Sequence, residues 1–278
     1  MPIATNLARA ARRAMPALLA VAGIVLSWEL YARWGDIAPT TLPPPSRVLV
    51  QAIAQRDALL EQTVPTVTAT LAGFATALLA AFAFSVLIDF SGMLRRALFP
   101  VFIVSQTLPL VAIAPLIVLW FGFGLTPKIV LVALVTFFPM LVALVQGYAA
   151  TDRDIAALLA SMGANRWRIF LLARLPTALP YFFAGLRISI TYAVVAAIFA
   201  EYAGAARGLG IFILNSKNNF RPDLVLAAVL VSSVLTLVLF GITVLVSAGL
   251  TLVLFCIAVL VQRLAMPWAQ PARDDGHD

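Results

Sequence analysis

The 278-residue sequence offers few groups able to do acid–base or metal chemistry. Its one histidine, His277, is the penultimate residue, and its one cysteine, Cys256, lies inside an apolar run. A lone cysteine supports neither an intrachain disulfide nor a multi-cysteine metal site. Histidine general-base and zinc chemistry have nowhere to sit, so no catalytic residue and no metal-ligand set is expected. The stretch Gly122-Phe-Gly-Leu-Thr-Pro127-Lys128-Ile129 fails as a phosphate-binding loop. Pro127 stands where the second glycine belongs, and Ile129 replaces the Mg²⁺-binding hydroxyl. It also lacks the final glycine of a dinucleotide fingerprint and a soluble strand before it. It reads more simply as a tight exterior turn between helices, with Trp120 and Phe121 at the interface.

What remains is polar chemistry inside apolar segments. Ser105, Gln106 and Thr107 form one group, Thr191 and Tyr192 a second, and Glu201 stands alone. Ionisable residues at such positions are functional candidates by default, and Pro109 and Pro115 free backbone carbonyls that can line a pathway. Ser105, Gln106, Pro109, Thr191 and Tyr192 are candidates for a translocation pathway, and for the Ser, Thr and Gln side chains among them a second role stays open, interhelical hydrogen-bond glue. Glu201 is either an exterior gate or a structural partner for Arg207. The segment Gly204 to Asn215 suits a short re-entrant turn, and Asp89 suits an exposed interfacial charge.

The elements that position these groups follow from composition. The chain is 63% hydrophobic and 11% charged, with a mean hydropathy of +1.02. Soluble domains run about 45–50% apolar and about 25% charged, and folding hides only about three-quarters of a chain's surface at this size. A soluble enzyme, a secreted disulfide scaffold and a disordered tail are excluded, and most of this chain has lipid as its solvent. The net charge of +7 does not indicate nucleic acid, because the bases lie scattered between apolar runs and only Lys128 and Lys217 are lysines.

A membrane span needs about 20 mostly apolar residues. Stretches free of Asp, Glu, Lys and Arg cover 15 residues between Arg13 and Glu29, 27 between Glu61 and Asp89, and 31 between Arg96 and Lys128. Another 23 lie between Lys128 and Asp152, and 39 between Asp223 and Arg263. Tyr181 to Ala200 is interrupted only by Arg187, near its start, which snorkels to the interface. The pattern predicts an all-α polytopic membrane protein with six transmembrane helices. The first could instead be a signal peptide, with Arg9, Arg12 and Arg13 preceding the apolar run Ala14 to Ser27. Trp28, Tyr31 and Trp34 suit a retained anchor, and no small-residue cleavage site follows. With both termini cytoplasmic, interior segments hold 12 bases and exterior ones 7, which favours that orientation.

The last apolar stretch carries an internal repeat. LTLVLFGITVLV from Leu235 recurs as LTLVLFCIAVLV from Leu250, differing only at Gly241/Cys256 and Thr243/Ala258. One long, tilted or protruding helix is predicted, either continuous or broken at Ser247-Ala248-Gly249. The duplication adds apolar length beyond what one span needs.

The polar segment from Ala149 to Pro180 reads as two short helices meeting at Gly163. Asp152 or Asp154 caps the first, and Asn165 caps a second that carries Trp167, Phe170, Leu171 and Leu175. Pro176 and Pro180 restrict the backbone where the chain re-enters the membrane. An exposed aromatic-aliphatic face suits docking into a partner's groove, or equally an interfacial helix pair on the headgroups.

Gly163, a nine-residue spacer to Ala173, then Leu175-Pro176, resembles the EAA loop of ABC-importer permeases. SQTLPLVAIAPLIVLWFGFGLTPKI from Ser105, TFFPMLVALVQGY from Thr136 and EYAGAARGLGIFIL from Glu201 are similar to nitrate/sulfonate/taurine-type permeases, most of all to those for thiamine-pyrimidine precursors. The resemblance covers residues 40–265. It departs from the family pattern where the motif's acidic residue would fall, at Ala157, and where the arginine common in relatives would fall, at Ala160. Asp154, one turn upstream, stands as a substitute acid.

The resemblance implies a permease subunit, not an enzyme, in the bacterial inner membrane. Its expected partners are ABC ATPase subunits, a second permease copy, an exterior solute-binding protein and the lipid bilayer. It implies no cofactor in this chain, ATP and Mg²⁺ being used by the ATPase. The coupling set would comprise Asp154, Ala157, Gly163, Ala164, Trp167, Phe170, Leu175 and Pro176 within the loop 150–180. Residues 1–63 then form an anchor and exterior connector, 64–265 the permease core, and 266–278 a cytoplasmic tail. The competing classes are an autonomous secondary transporter, which would favour an inverted repeat and mid-membrane ion sites, and a membrane scaffold.

Overall fold

The computed structural model describes residues 2–35 and 37–265, with side chains for 15–35, 37–105, 107–253 and 256. The tail 266–278 and His277 lie outside the described residues. Eleven α-helices occur among them: α1 (Pro2–Trp34), α2 (Pro45–Ala54), α3 (Arg56–Phe90), α4 (Gly92–Thr107), α5 (Leu110–Phe121), α6 (Leu125–Ala149), α7 (Arg153–Ser161), α8 (Arg166–Ile169), α9 (Leu175–Gly204), α10 (Leu209–Asn218) and α11 (Pro222–Ala265). A π-helical turn, Phe170–Arg174, joins α8 to α9, and no strand is present among the described residues.

The centre is a three-helix core of α3, α6 and α9. Ala77, Ala81 and Ile88 of α3 meet Met140, Leu141 and Val145 of α6 and Phe183 and Leu186 of α9. Lipid tails are as apolar as leucine, so helices in a membrane associate through close packing of small residues. A side chain at Gly147 would meet Ala178 Cα at 2.6 Å, and one at Gly185 would meet Ala143 Cβ at 2.6 Å. That closeness holds α6 against α9.

Five continuous segments are long and apolar enough to span: 15–34, 56–90, 125–149, 166–204 and 222–253. The uncharged run between Arg96 and Lys128 is not one straight helix. It is α4 and α5, set at 103° to each other across Leu108 and Pro109, both extended. Proline lacks an N–H and pushes the residue before it out of the helical region, so the ladder ends at Thr107. Counted as one broken span, the pair completes six.

α11 is the one long helix expected, and it runs unbroken through Ser247-Ala248-Gly249. Two further expectations are revised. The segment from Gly204 to Asn215 is a short turn followed by α10, packed against α3, α9 and α11. Lys128 does not sit in an exterior turn: it lies inside α6 with its side chain buried.

Candidate functional site

The loop between the fourth and fifth predicted spans is built as its residues dictate. Asp152 caps α7, its side chain accepting the Asp154 N–H at 2.8 Å. Gly163 follows at φ +82°, a left-handed conformation that costs a residue with a Cβ about 1–2 kcal/mol. Asn165 then caps α8 by accepting the Arg168 N–H at 2.8 Å. Pro176 cannot donate to the carbonyl four residues earlier, and the chain widens there into the π-helical turn, a feature frequent at functional sites.

This turn aims Phe170 inward. Its ring is 2% exposed and lies 5.5 Å from Phe90 of α3, 5.3 Å from Tyr148 of α6 and 5.5 Å from Trp167, the last stacked at 19°. Arg166 donates to the Phe90 carbonyl at 3.3 Å, and Arg174 pairs with Asp89 at 2.6 Å. Asp89 is thus a partly buried ion-pair partner, not an exposed charge. Behind α7 lies a cavity of about 320 Å³, lined among others by Asp89, Arg95, Tyr148, Arg153 and Arg174.

The outer face of the loop is apolar and open. Ile155, Leu158 and Met162 are exposed, and Trp167 is half exposed. Of the predicted coupling set, Asp154, Ala157, Gly163, Trp167 and Pro176 are exposed and Ala164 is half-buried, while buried Phe170 and half-buried Leu175 face the bundle, where both pack with Leu144 and Tyr148 of α6. The arrangement is an apolar surface tied rigidly to the ends of α3 and α6.

At the opposite end of α9, Glu201 is fully buried. Its carboxylate accepts from Lys128 Nζ at 3.1 Å, from Thr66 Oγ1 at 2.9 and 3.0 Å, and from the Gly210 N–H at 2.9 Å. Lys128 also donates to the Arg207 carbonyl at 2.8 Å. Arg207 therefore enters through its backbone, and the ion-pair partner of Glu201 is Lys128. Around it, the Leu209 N–H donates to Thr66 Oγ1 at 2.9 Å and the Gly208 N–H to Gln62 Oε1 at 2.7 Å. These donors are the first amides of α10, which have no intrahelical acceptor. Gly208 sits at φ +135°, and a side chain there would collide with the Glu201 carboxylate. Glu201 is a buried clamp for α10, joining α3, α6, α9 and α10.

The remaining pathway candidates are not brought together by hydrogen bonds. Ser105 donates to the Phe102 carbonyl of its own helix at 2.7 Å, and Thr191 to that of Ile188 at 2.6 Å. Tyr192 is 53% exposed, Pro109 lies at the break between α4 and α5, and Gln106 falls in α4 with its side chain outside those described. Among the described residues no group of three or more His, Cys, Asp and Glu could hold a metal.

Sequence reasoning missed Lys128, Thr66 and Gln62 at one end and Phe90, Tyr148 and Arg174 at the other. Lys128 carried a usable signal, being a single charge between two long uncharged runs. Phe90 and Tyr148, the aromatic partners of Phe170 beyond its own loop, carried none, since they sit on two distant helices.

Comparison with known proteins agrees with this architecture. Residues 69–252 match the family of binding-protein-dependent transport system inner membrane components. A probable ABC transporter permease protein of Haemophilus influenzae is 32% identical over 82% of this chain and 93% of its own length. The formylaminopyrimidine transport permease protein of Halalkalibacterium halodurans is 32% identical over 76% of this chain and 85% of its own. The taurine transport system permease protein of Escherichia coli is 30% identical, over 79% and 82%.

Proposed function

The chain belongs to the binding-protein-dependent transport system inner membrane components, a family of transport permeases and not of enzymes, and from that premise we propose how it works. It is the pathway-forming subunit of an ATP-driven importer for a small polar solute, either a sulfonate- or taurine-like anion or a pyrimidine-type heterocycle. It pairs with a second copy of itself, receives solute from an exterior binding protein, and docks two ATPase subunits through the loop 150–180. The ATPase subunits use ATP and Mg²⁺; this chain supplies no cofactor. Both termini are cytoplasmic, residues 1–63 anchor and connect, and 64–265 form the core. Ser105, Gln106, Pro109, Thr191, Tyr192 and Glu201 belong to the pathway and its gate, Glu201 as the clamp that closes one end.

The observation that carries this is the exposed apolar surface of α7, Met162 and Trp167 on a base that Phe170 fastens to α3 and α6. A force applied to that surface reaches two core helices directly. Closure of the ATPase pair on ATP would draw the two loops together and turn the pathway outward; hydrolysis would reset it. Ala157 and Ala160 stand where the resemblance would put an acid and an arginine, so docking here rests mainly on apolar contact, with Asp154 the acid nearest Ala157 and Asp152 engaged in capping α7.

Gly163→Trp tests this in a complex reconstituted with its ATPase subunits. A Cβ built at Gly163 meets nothing within 4 Å, so added bulk is accommodated within the chain itself. Gly163→Ala, which bears the same φ +82° strain without the indole, is the control and should keep most of the hydrolysis. In Gly163→Trp, transport-coupled ATP hydrolysis is expected to fall at least tenfold. Unchanged hydrolysis would remove the docking role from this loop.

A further inference from the structure

Arg187 is an unexpected resident of the membrane interior. Two contacts with α6 bracket its level: Ser189 donates to the Thr136 carbonyl at 2.9 Å, and Gly185 packs on Ala143. Residues 136–143 are the middle of α6. Along the continuous helix, Arg187 is 13 residues from Arg174 and 14 from Glu201, about 20 Å from each ion pair. Those pairs lie about 40 Å apart, the thickness of a bilayer with its headgroup regions. Arg187 is therefore at mid-membrane, too deep to snorkel to either surface.

Its surroundings leave it underserved. Among the described residues it forms no ion pair, and its one hydrogen bond is to Ser247 Oγ of α11 at 3.3 Å. A guanidinium carries five N–H donors. Arg187 is exposed, one turn from Thr191, beside a column of exposed residues comprising Ile188, Tyr192 and Val195. The other side of α9, with Ile190, Ala193 and Ala197, is packed in the core. Charged residues at mid-bilayer almost always face a protein interior or a water-filled cavity, because lipid cannot solvate them.

We propose that this face of α9 lines a water-filled pathway, and that Arg187 offers its guanidinium there to an anionic group of the solute in transit. The inference rests on the permease assignment and narrows the solute to one bearing a sulfonate, carboxylate or phosphate. The planar fork of arginine matches such groups bidentately, and a positive charge at mid-pathway lowers the barrier for an anion while raising it for a cation.

Thiol chemistry on the full reconstituted transporter tests this without knowledge of the solute. In a Cys256→Ser background, Thr191→Cys is treated with two methanethiosulfonates of similar size, one ending in a sulfonate and one in a quaternary ammonium. Leu245→Cys, on the exposed aliphatic face of α11 near the same depth, is the control. The Thr191→Cys thiol is expected to react at least tenfold faster than the control with both reagents, since only a wetted thiol ionises. Adding Arg187→Gln should lower the ratio of sulfonate to ammonium rates by about tenfold, because a charge one turn away moves the two reagents in opposite directions. Arg187→Lys should restore most of that ratio, which excludes a folding defect as its cause. Reaction no faster than the control would place the face in lipid or against protein and overturn the proposal. A ratio unmoved by Arg187→Gln would overturn the role of the charge. Neither outcome touches the docking loop, whose test reads ATP hydrolysis.

Discussion

Glu201 shows how a single buried carboxylate can be afforded in an apolar bundle. It receives an ammonium, a hydroxyl and a backbone amide, so little of its charge is left unsolvated. The arrangement makes the pair asymmetric in its response to mutation. Removing one member of a buried pair strands the other and costs about 3–5 kcal/mol, whereas replacing both by uncharged groups of similar volume is often neutral. Lys128→Ala is therefore expected to destabilise the purified protein by that amount, read as a large drop in its thermal midpoint in detergent. The double variant Lys128→Met with Glu201→Gln should recover most of the loss. A single variant as stable as the parent would show that Lys128 is not the compensating charge. Gly208→Ala acts on the same carboxylate from the other side, by forcing a methyl group into it, and is expected to destabilise without altering any charge.

Among the helices, Phe170 decides whether the docking loop moves with the core or apart from it. Truncating a buried phenylalanine typically costs about 3–5 kcal/mol, and here the loss falls on the attachment of α8 to Phe90 and Tyr148. Phe170→Ala is expected to leave α3, α6 and α9 folded while freeing α7 and α8. Limited trypsinolysis after Arg166 or Arg168 should then speed up at least tenfold with little change in the thermal midpoint, and ATP hydrolysis should cease to respond to solute. Cleavage at the parent's rate would mean that the loop is held by something other than this cluster. The same loop shows what the sequence could disclose. Its caps and its break were readable because Asp152, Gly163 and Asn165 act on their own neighbours. The inward turn of Phe170 was not, since it depends on rings 80 and 22 positions away. Counting uncharged residues found the spans but treated every charge as a surface marker. That rule misplaced Lys128, whose partner is 73 positions distant, and Arg187, whose depth appears only once α9 is set against α6. It also joined α4 and α5 into one helix: Pro109 announces an interruption, but the angle beyond it is set by packing.

Taken as a whole, the molecule reverses the meaning of the 15-residue repeat. From composition, the second copy is surplus apolar length. Yet α11 begins well outside the hydrocarbon, where Asp223 pairs with Arg221 at 3.0 Å and Arg47 at 3.4 Å and the helix packs on α2 and α10. Only at Ser247, after 25 residues, does it reach the level of Arg187 at mid-membrane. The inner half of a hydrocarbon core about 30 Å thick still needs about ten apolar residues, and the second copy, Leu250 to Val261, provides them. A deletion separates the two views. Removing residues 235–249 replaces the first copy by one identical at ten of twelve positions, so composition forecasts a tolerated change. In the structure's register, Gln262 would take the place of Ser247 and Arg263 that of Ala248, which brings a second arginine to mid-membrane beside Arg187 and ends the span halfway. The deletion is expected to abolish stable insertion, read as loss of the full-length chain from washed membranes. The same deletion carrying Gln262→Ser and Arg263→Leu should recover part of it, by removing the charge conflict while leaving the helix short. Normal membrane levels of the unmodified deletion would show that α11 can slide by four turns, and that its register against α9 is not what holds it in place.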